Sequence, residues 1–244
     1  MRVAYYFIWI VLITGSGCHL SDEKHKEKAD SQSVAWRNSH REQMGLKGSV
    51  KHLYEITFYA LSHYGEVVPG EPIEGTEYSY LFDRQGMLTE KIFCERPDNY
   101  SEKWSCKLNE LGFPVEAVIV DPSGKRSMES YRYDEKGNLI EKKLFKPQIQ
   151  RWTFTYDNQG RRTSMTVYDL PYNEMRTTTY DAEGNPKEVM QYFADGNLKE
   201  KYLCKHTFDK EGNWIQQIQY TAHIPDIAPV PAFITIREIE YYEL

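Results

Sequence analysis

The chain has 244 residues, enough for one domain or at most two. Apolar residues make up 40% while aromatics reach 14%, with nineteen tyrosines, so rings supply much of whatever area is buried. A formal charge of −6, from 30 basic and 36 acidic residues, disfavours nucleic acid as a partner, because gripping phosphates takes clustered Lys and Arg.

The chain opens with Met1-Arg2, an apolar run from Val3 to Ile13, the small residues Thr14-Gly15-Ser16-Gly17, and Cys18. Eleven apolar residues are too few to span a bilayer as a helix, and a short apolar run ending in small residues reads as a secretory signal over residues 1–17. With the cysteine directly behind it, the pattern resembles a bacterial lipoprotein signal, although Gly15 stands where that family usually has Leu. The resemblance implies that Cys18 carries lipid, including palmitate, and becomes the mature N-terminus. Ser21-Asp22-Glu23 resembles the surface-export signal of some Gram-negative lipoproteins, which implies an outer-membrane anchor facing the exterior. Residues 18–44 read as a flexible tether, since Ser21 to Lys28 contains no apolar residue.

From residue 45 onward the pattern is of strands, beginning with Val50 to Tyr59 and ending with Phe233 to Tyr241. Between them a unit recurs: Tyr80-Leu81-Phe82-Asp83-Arg84-Gln85-Gly86, a decayed copy at Cys106 to Gly112, then Tyr131 to Asn138, Phe154 to Arg161, Thr178 to Asn185 and His206 to Asn213. Its glycines are Gly86, Gly112, Gly137, Gly160, Gly184 and Gly212, spaced 26, 25, 23, 24 and 28 residues apart. The leading acid (Asp83, Asp134, Asp157, Asp181 and Asp209) suits the first position of a type I turn. Gly three residues later supplies the positive φ of a bulge that joins antiparallel strands. A less regular turn lies between consecutive glycines, as at Asp121-Pro122-Ser123-Gly124 and Ala194-Asp195-Gly196-Asn197. The expected fold is all-β: a meander of about fourteen strands forming a long twisted sheet or an open solenoid-like one, ~65 Å long at ~4.8 Å per strand. Regular turns should line one edge and irregular turns the other.

The unit resembles the YD repeat of the rearrangement-hot-spot (Rhs) family, over residues 80 to about 220. Large members of that family coil the repeat sheet into a shell around a C-terminal toxin, and this chain has too few copies for such a shell and no room for cargo. Asp121-Pro122-Ser123-Gly124 is similar to the family's Asp-Pro-x-Gly self-cleavage motif, but it sits between repeats and reads as an ordinary hairpin turn.

Candidate chemistry is sparse. Cys94 and Cys106 stand symmetrically about Tyr100, so a disulfide between them competes with two buried thiols, and Cys204 is left over. The histidines at 19, 25, 40, 52, 63, 206 and 223 lack ligand spacing, and no metal or cofactor is expected. The row of turn aspartates reads as backbone acceptors rather than a calcium site. Rings at 80, 82, 131, 133, 154, 156, 180 and 208 read as core. Alternating signs, as in Glu141-Lys142-Lys143, read as a solvated face. The resulting expectation is a non-enzymatic lipoprotein that binds an extracellular glycan or protein, with Tyr100, Trp104, Tyr172 and Trp152 as candidate contacts near the irregular turns. The alternatives are a structural subunit of the envelope, expected to show a long strand edge, and a polysaccharide hydrolase, which needs two facing carboxylates.

Overall fold

The computed structural model describes residues 39–94, 100–145, 149–169, 174–222 and 228–243. A short helix, α1 (His40–Gln43), precedes fifteen antiparallel strands: β1 (Val50–His63), β2 (Glu66–Pro72), β3 (Tyr78–Phe82), β4 (Leu88–Phe93), β5 (Tyr100–Leu108), β6 (Pro114–Val120), β7 (Arg126–Tyr133), β8 (Leu139–Phe145), β9 (Ile149–Tyr156), β10 (Arg162–Asp169), β11 (Glu174–Tyr180), β12 (Pro186–Tyr192), β13 (Leu198–Phe208), β14 (Trp214–Thr221) and β15 (Val230–Tyr241). From β3 to β15 each strand pairs with the next in sequence.

The expected open sheet is corrected by the last strand. β15 pairs with β14 on one side and with β1 on the other, in register from Val50↔Tyr241 to Tyr59↔Phe233. The fourteen strands β1 and β3–β15 therefore close into a barrel. Right-handed twist curls so long a meander, and closure satisfies the two rows of backbone groups that an open sheet leaves bare. β1 is long enough to pair with β3 over His52–Glu55 and with β2 over Phe58–His63, so the β1–β2 hairpin extends from the ring. The outer edge of β2 carries Pro69 and Pro72, which cannot donate to a further strand.

The turns have the expected chemistry. At residues 134–138, the Gly137 N–H donates to the Asp134 carbonyl (3.0 Å) and Asp134 N–H to the Asn138 carbonyl (2.9 Å). The Asp134 carboxylate accepts the N–H groups of Lys136 and Asn138 (3.0 and 2.8 Å). The register shifts by one residue as β8 leaves the turn, the signature of a bulge. The same closing bond runs from Gly86 to Asp83 (2.9 Å), from Gly160 to Asp157 (3.0 Å), from Gly184 to Asp181 (3.2 Å) and from Gly212 to Asp209 (3.2 Å). With Gly112 and Gly137, these glycines have φ between +76° and +85°. The last copy does more than turn the chain, because the Asp209 carboxylate also accepts the Tyr241 hydroxyl from β15. The two barrel ends differ less than expected. Asp121–Gly124 and Phe193–Gly196 at the opposite end form the same hydrogen-bonded turn, with Gly124 and Gly196 also at positive φ.

Alternation along the strands sends one row of side chains into the lumen. Leu53, Tyr80, Phe82, Tyr131, Phe154, Tyr180 and Trp214 are buried there, and Tyr133 and Tyr156 pack against them. Most of the predicted ring ladder is thus core, although Phe208 stays 44% exposed. At the seam Glu55 and Arg237 face each other fully buried, with Arg237 Nε 2.6 Å from the carboxylate and its guanidinium 3.3 Å above the Trp214 ring. Thr57 and Thr235 join their hydroxyls beside it (3.0 Å).

Residues 39–44, expected to belong to a flexible tether over residues 18–44, are instead packed against the barrel. Ser39 caps α1 by accepting the Glu42 N–H, and Ser39, His40, Arg41, Met44 and Leu46 are buried at the end of the barrel lined by the repeat turns. Two of those turns hold this plug. Arg41 N–H donates to the Gly86 carbonyl (2.9 Å), while Lys47 N–H donates to Asn213 Oδ1 (2.7 Å) and Asn213 returns a bond to the Lys47 carbonyl (2.9 Å). A Cβ on Gly86 would lie 2.9 Å from Ser39 Oγ, and one on Gly212 would lie 3.4 Å from Lys47 Nζ. One on Gly124, at nearly the same φ, would meet nothing within 4 Å. Gly124→Ala should therefore cost about 1 kcal/mol, the strain of positive φ alone, and Gly86→Ala about 1–2 kcal/mol more. Urea denaturation of the two variants checks this; equal losses would show that the plug does not bear on the turn.

Candidate functional site

The lumen is lined by buried side chains, and several of its polar groups are tied to one another, while Ser127 Oγ, Gln150 Oε1 and Thr178 Oγ1 are buried without a hydrogen bond among the described residues. On its wall Glu129 faces Lys142 (3.5 Å), and Lys91 on β4 stands opposite Glu102 on β5. Burial pushes the Lys91 ammonium down to about 8, against the pull of Glu102. A chain of hydrogen bonds links the plug to this layer. The Leu88 N–H donates to His40 Nδ1 (3.0 Å), which places the imidazole proton on Nε2, facing Tyr131 Oη at 2.9 Å. Tyr131 donates onward to Glu129 (2.5 Å). The acidic groups Glu55, Glu102 and Glu129 each have a cationic neighbour. Among the described residues no group of three His, Cys, Asp or Glu converges as a metal site.

The predicted contact rings do not gather at the irregular end. Trp104 and Trp152 point inward and pack against the core, Trp104 5.8 Å from the His40 ring and Trp152 4.2 Å beneath the Lys142 ammonium. Tyr100 lies at the start of β5, edge-on to Phe93 (5.5 Å), with its hydroxyl 3.2 Å from Asp121. Tyr172 and Cys18 lie outside the described residues. Cys94, Cys106 and Cys204 are thiols, so of the two competing readings of Cys94 and Cys106 the structure has the one without a disulfide. Phe93 pairs with Tyr100, so Cys106 sits six residues along β5 from the Phe93 level and faces Ala117 instead. Burial pushes the Cys106 and Cys204 thiols up to about 12, so they behave as small apolar groups.

The most organised polar cluster is on the outside of the barrel, and the sequence reading missed it. Glu141 on β8 points outward, as do Arg132 opposite it on β7, Lys143 two residues on, and Arg151 opposite Lys143 on β9. All three cations converge on the one carboxylate, at 3.5, 3.1 and 2.7 Å. Burial beneath them would raise the Glu141 carboxyl's pKa, but the bonds from Lys143 and Arg151 outweigh that and hold it below the usual range. The cations remain accessible, with side-chain exposures of 64% for Arg132, 39% for Lys143 and 44% for Arg151. A one-residue difference in facing separates Lys142, inside with Glu129, from Lys143, outside with Glu141; strand alternation carries that signal once the register is known.

Residues 111–225 match the family model of the Teneurin YD-shell. This segment is YD-repeat sequence. No curated protein matches the chain. Among solved structures, a porin-like protein from Bacteroides uniformis aligns over 80% of this chain and 98% of its own, at 11% identity and a TM-score of 0.46. A porin-like protein from Bacteroides vulgatus aligns over 80% and 99%, at 7% identity and a TM-score of 0.29. TcdB2-TccC3-TEV aligns over 62% of this chain and 8% of its own, at 12% identity and a TM-score of 0.30. Superpositions this loose carry no argument, and the closure of the barrel rests on its own β1–β15 pairing.

The YD turns spend their acids on their own backbones. Asp157, Asp181 and Asp209 accept from the residues two and four places on, as Asp134 does, and Asp157 also takes the Arg161 guanidinium (2.7 Å). His40 couples the plug to the sheet through Leu88 and Tyr131, and a second histidine, His206, is bonded within the sheet to Gln217. Burial lowers His40 to about 3 and His206 to about 4, so both stay unprotonated in the folded chain well below the usual 6.5. As pH falls through 6.5 the unfolded chain takes up these protons and the folded chain does not. Stability is therefore full above pH 6.5 and falls towards pH 4, by at most ~1.4 kcal/mol per pH unit for each histidine. Urea midpoints at pH 7 and 5 should show the drop, and His40→Gln should flatten it; a pH-independent midpoint would contradict the burial of His40.

Proposed function

We propose that this chain is a non-catalytic lipoprotein whose filled barrel stands in water at the cell envelope, held by lipid on Cys18. The observation that carries the reading is the polarity of the outer wall. Outward positions at mid-strand are Lys103, Ser105 and Lys107 on β5, Arg132 on β7, Lys143 on β8, Arg151 and Thr153 on β9, Lys201 and Lys205 on β13, and Glu238 on β15. A wall facing lipid would incur ~2–4 kcal/mol for each Arg or Lys near the bilayer midplane, which these strands carry repeatedly. The wall is apolar at the seam, where Ile56 faces Ile236 and Phe58 faces Ile234, and along the row Val118, Met128, Phe145 and Ile149 across β6–β9, but the charged positions between these patches break any continuous bilayer girdle. The plugged, ion-paired lumen argues against a channel and against catalysis. The closed ring removes the sheet edges on which a polymerising structural subunit would rely, which favours recognition by the outer surface, with an extracellular glycan ahead of a protein.

Cys18→Ala separates this from an embedded barrel. The expected outcome is that the wild-type chain fractionates with membranes while Cys18→Ala is released and stays soluble without detergent. A variant that remains in the membrane and needs detergent would indicate strands in the bilayer.

A further inference from the structure

From the outer wall of β7–β11 we infer a binding site for an acidic glycan, a polymer whose sugars carry carboxylates. It rests on the reading that the outer surface is exposed to extracellular partners. The centre of the site is the Glu141 cluster. One carboxylate offers about four lone pairs, while two guanidinium groups and an ammonium offer about thirteen N–H donors. Glu141 therefore orders the three cations without satisfying them. It fixes Arg132, Lys143 and Arg151 within 3.5 Å of one point and leaves a local excess of positive charge. Preorganised guanidinium forks suit carboxylates, which they take by paired N–H bonds.

The surroundings fit the same class of ligand. Arg126, exposed on the outward face of β7, adds a fourth cation on the side of the irregular turns. Next to Arg151 the Tyr168 ring lies outward on β10, 5.6 Å from the guanidinium. Beyond it the wall becomes a terrace of hydroxyls: Thr153, Thr155, Ser164, Thr166 and Thr177 all face out, with Thr166 and Thr177 joined at 3.0 Å. Among the described side chains, the outward faces of β9, β10 and β11 carry no acid, and the nearest outward acids besides Glu141 are Glu116 on β6 and Glu188 on β12. Cations for the carboxylates, hydroxyls for the ring oxygens and an aromatic face for the sugar plane thus lie side by side. The chain's overall negative charge sits elsewhere and does not interrupt this band.

The test is affinity electrophoresis of the detergent-solubilised full chain in gels containing polygalacturonate, or neutral dextran as the control. Polygalacturonate should retard the protein and dextran should not. Retardation should weaken at least about tenfold as the salt is raised from ~0.05 to ~0.3 M, because exposed charge pairs are screened over that range. Arg132→Gln/Arg151→Gln should lose at least tenfold in apparent affinity, and Arg132→Gln alone, the most exposed position, should lose part of it with its melting temperature unchanged. Arg161→Gln, at a YD turn, should bind as the wild type does. Equal retardation by both polymers, no retardation by either, or a double variant that binds undiminished would overturn the assignment. Release of the Cys18→Ala chain is read separately, so failure of the anchor leaves this result interpretable.

Discussion

Everything in this molecule depends on the pairing of β1 with β15. Antiparallel hairpins alone would give a ribbon with two faces and two ends, and neither face would be an inside. Once Val50–Tyr59 lies against Phe233–Tyr241, one face becomes a lumen and the other a wall. The same strand alternation then sorts the side chains into an inward row and an outward row. The seam is correspondingly well made: Leu53 with Ile239, Glu55 with Arg237 and Thr57 with Thr235 inside, and Ile56 with Ile236 and Phe58 with Ile234 outside. Burying Glu55 with Arg237 is costly unless both are paired, so the bond selects this register over any slipped one.

The plug is the second consequence of closure. A ring of fourteen strands leaves its end open to water unless something fills it, and Met44, Leu46 and His40 do so at the end lined by the YD turns. The plug binds through two turns, at Gly86 and Asn213, which lie near the two ends of the repeat array. Closure brings those ends together, so the two turns flank the seam with β14, β15, β1 and β3 between them, and the plug straddles the seam from below. A tyrosine hydroxyl, Tyr131, passes its bond from the plug histidine to the Glu129–Lys142 pair, so the filling of the end and the polar layer of the lumen are one connected structure.

What could be read from the sequence is what is local. The turn at Asp134–Gly137 is written in four residues, and its hydrogen bonds need no knowledge of the rest of the chain. Gly160, Gly184 and Gly212 were legible on the same grounds, and so were the rings on either side of each turn. That Asp209 would also hold Tyr241 was not, because the bond crosses the seam. Closure itself was hidden, since nothing in Val50–Tyr59 names Phe233–Tyr241 as its partner, 182 residues away at the Glu55–Arg237 bond. Register was equally hidden. Centring the β4–β5 hairpin on Tyr100 joins Cys94 to Cys106, while the register Phe93↔Tyr100 leaves Cys106 opposite Ala117. Glu141-Lys142-Lys143 reads as a single solvated stripe, yet its middle residue crosses to the lumen. Trp104 and Trp152 read as part of a recognition edge because lumen and edge cannot be told apart before the ring is known.

The seam also sets an order of events. Most of the contacts in this fold join strands adjacent in sequence and can form as each hairpin emerges, but the seam joins the first strand to the last. Closing so long a loop is entropically expensive and must wait for β15. Until then β1 is a bare edge beside a half-built lumen, and the plug has only one of its two anchoring turns, since the other lies at residues 209–213. A chain released N-terminus first would therefore present an adhesive intermediate for as long as its last strand is delayed. The prolines of β2 cover only the protruding part of that edge, so protection of the rest of β1 falls to the speed of delivery or to a chaperone.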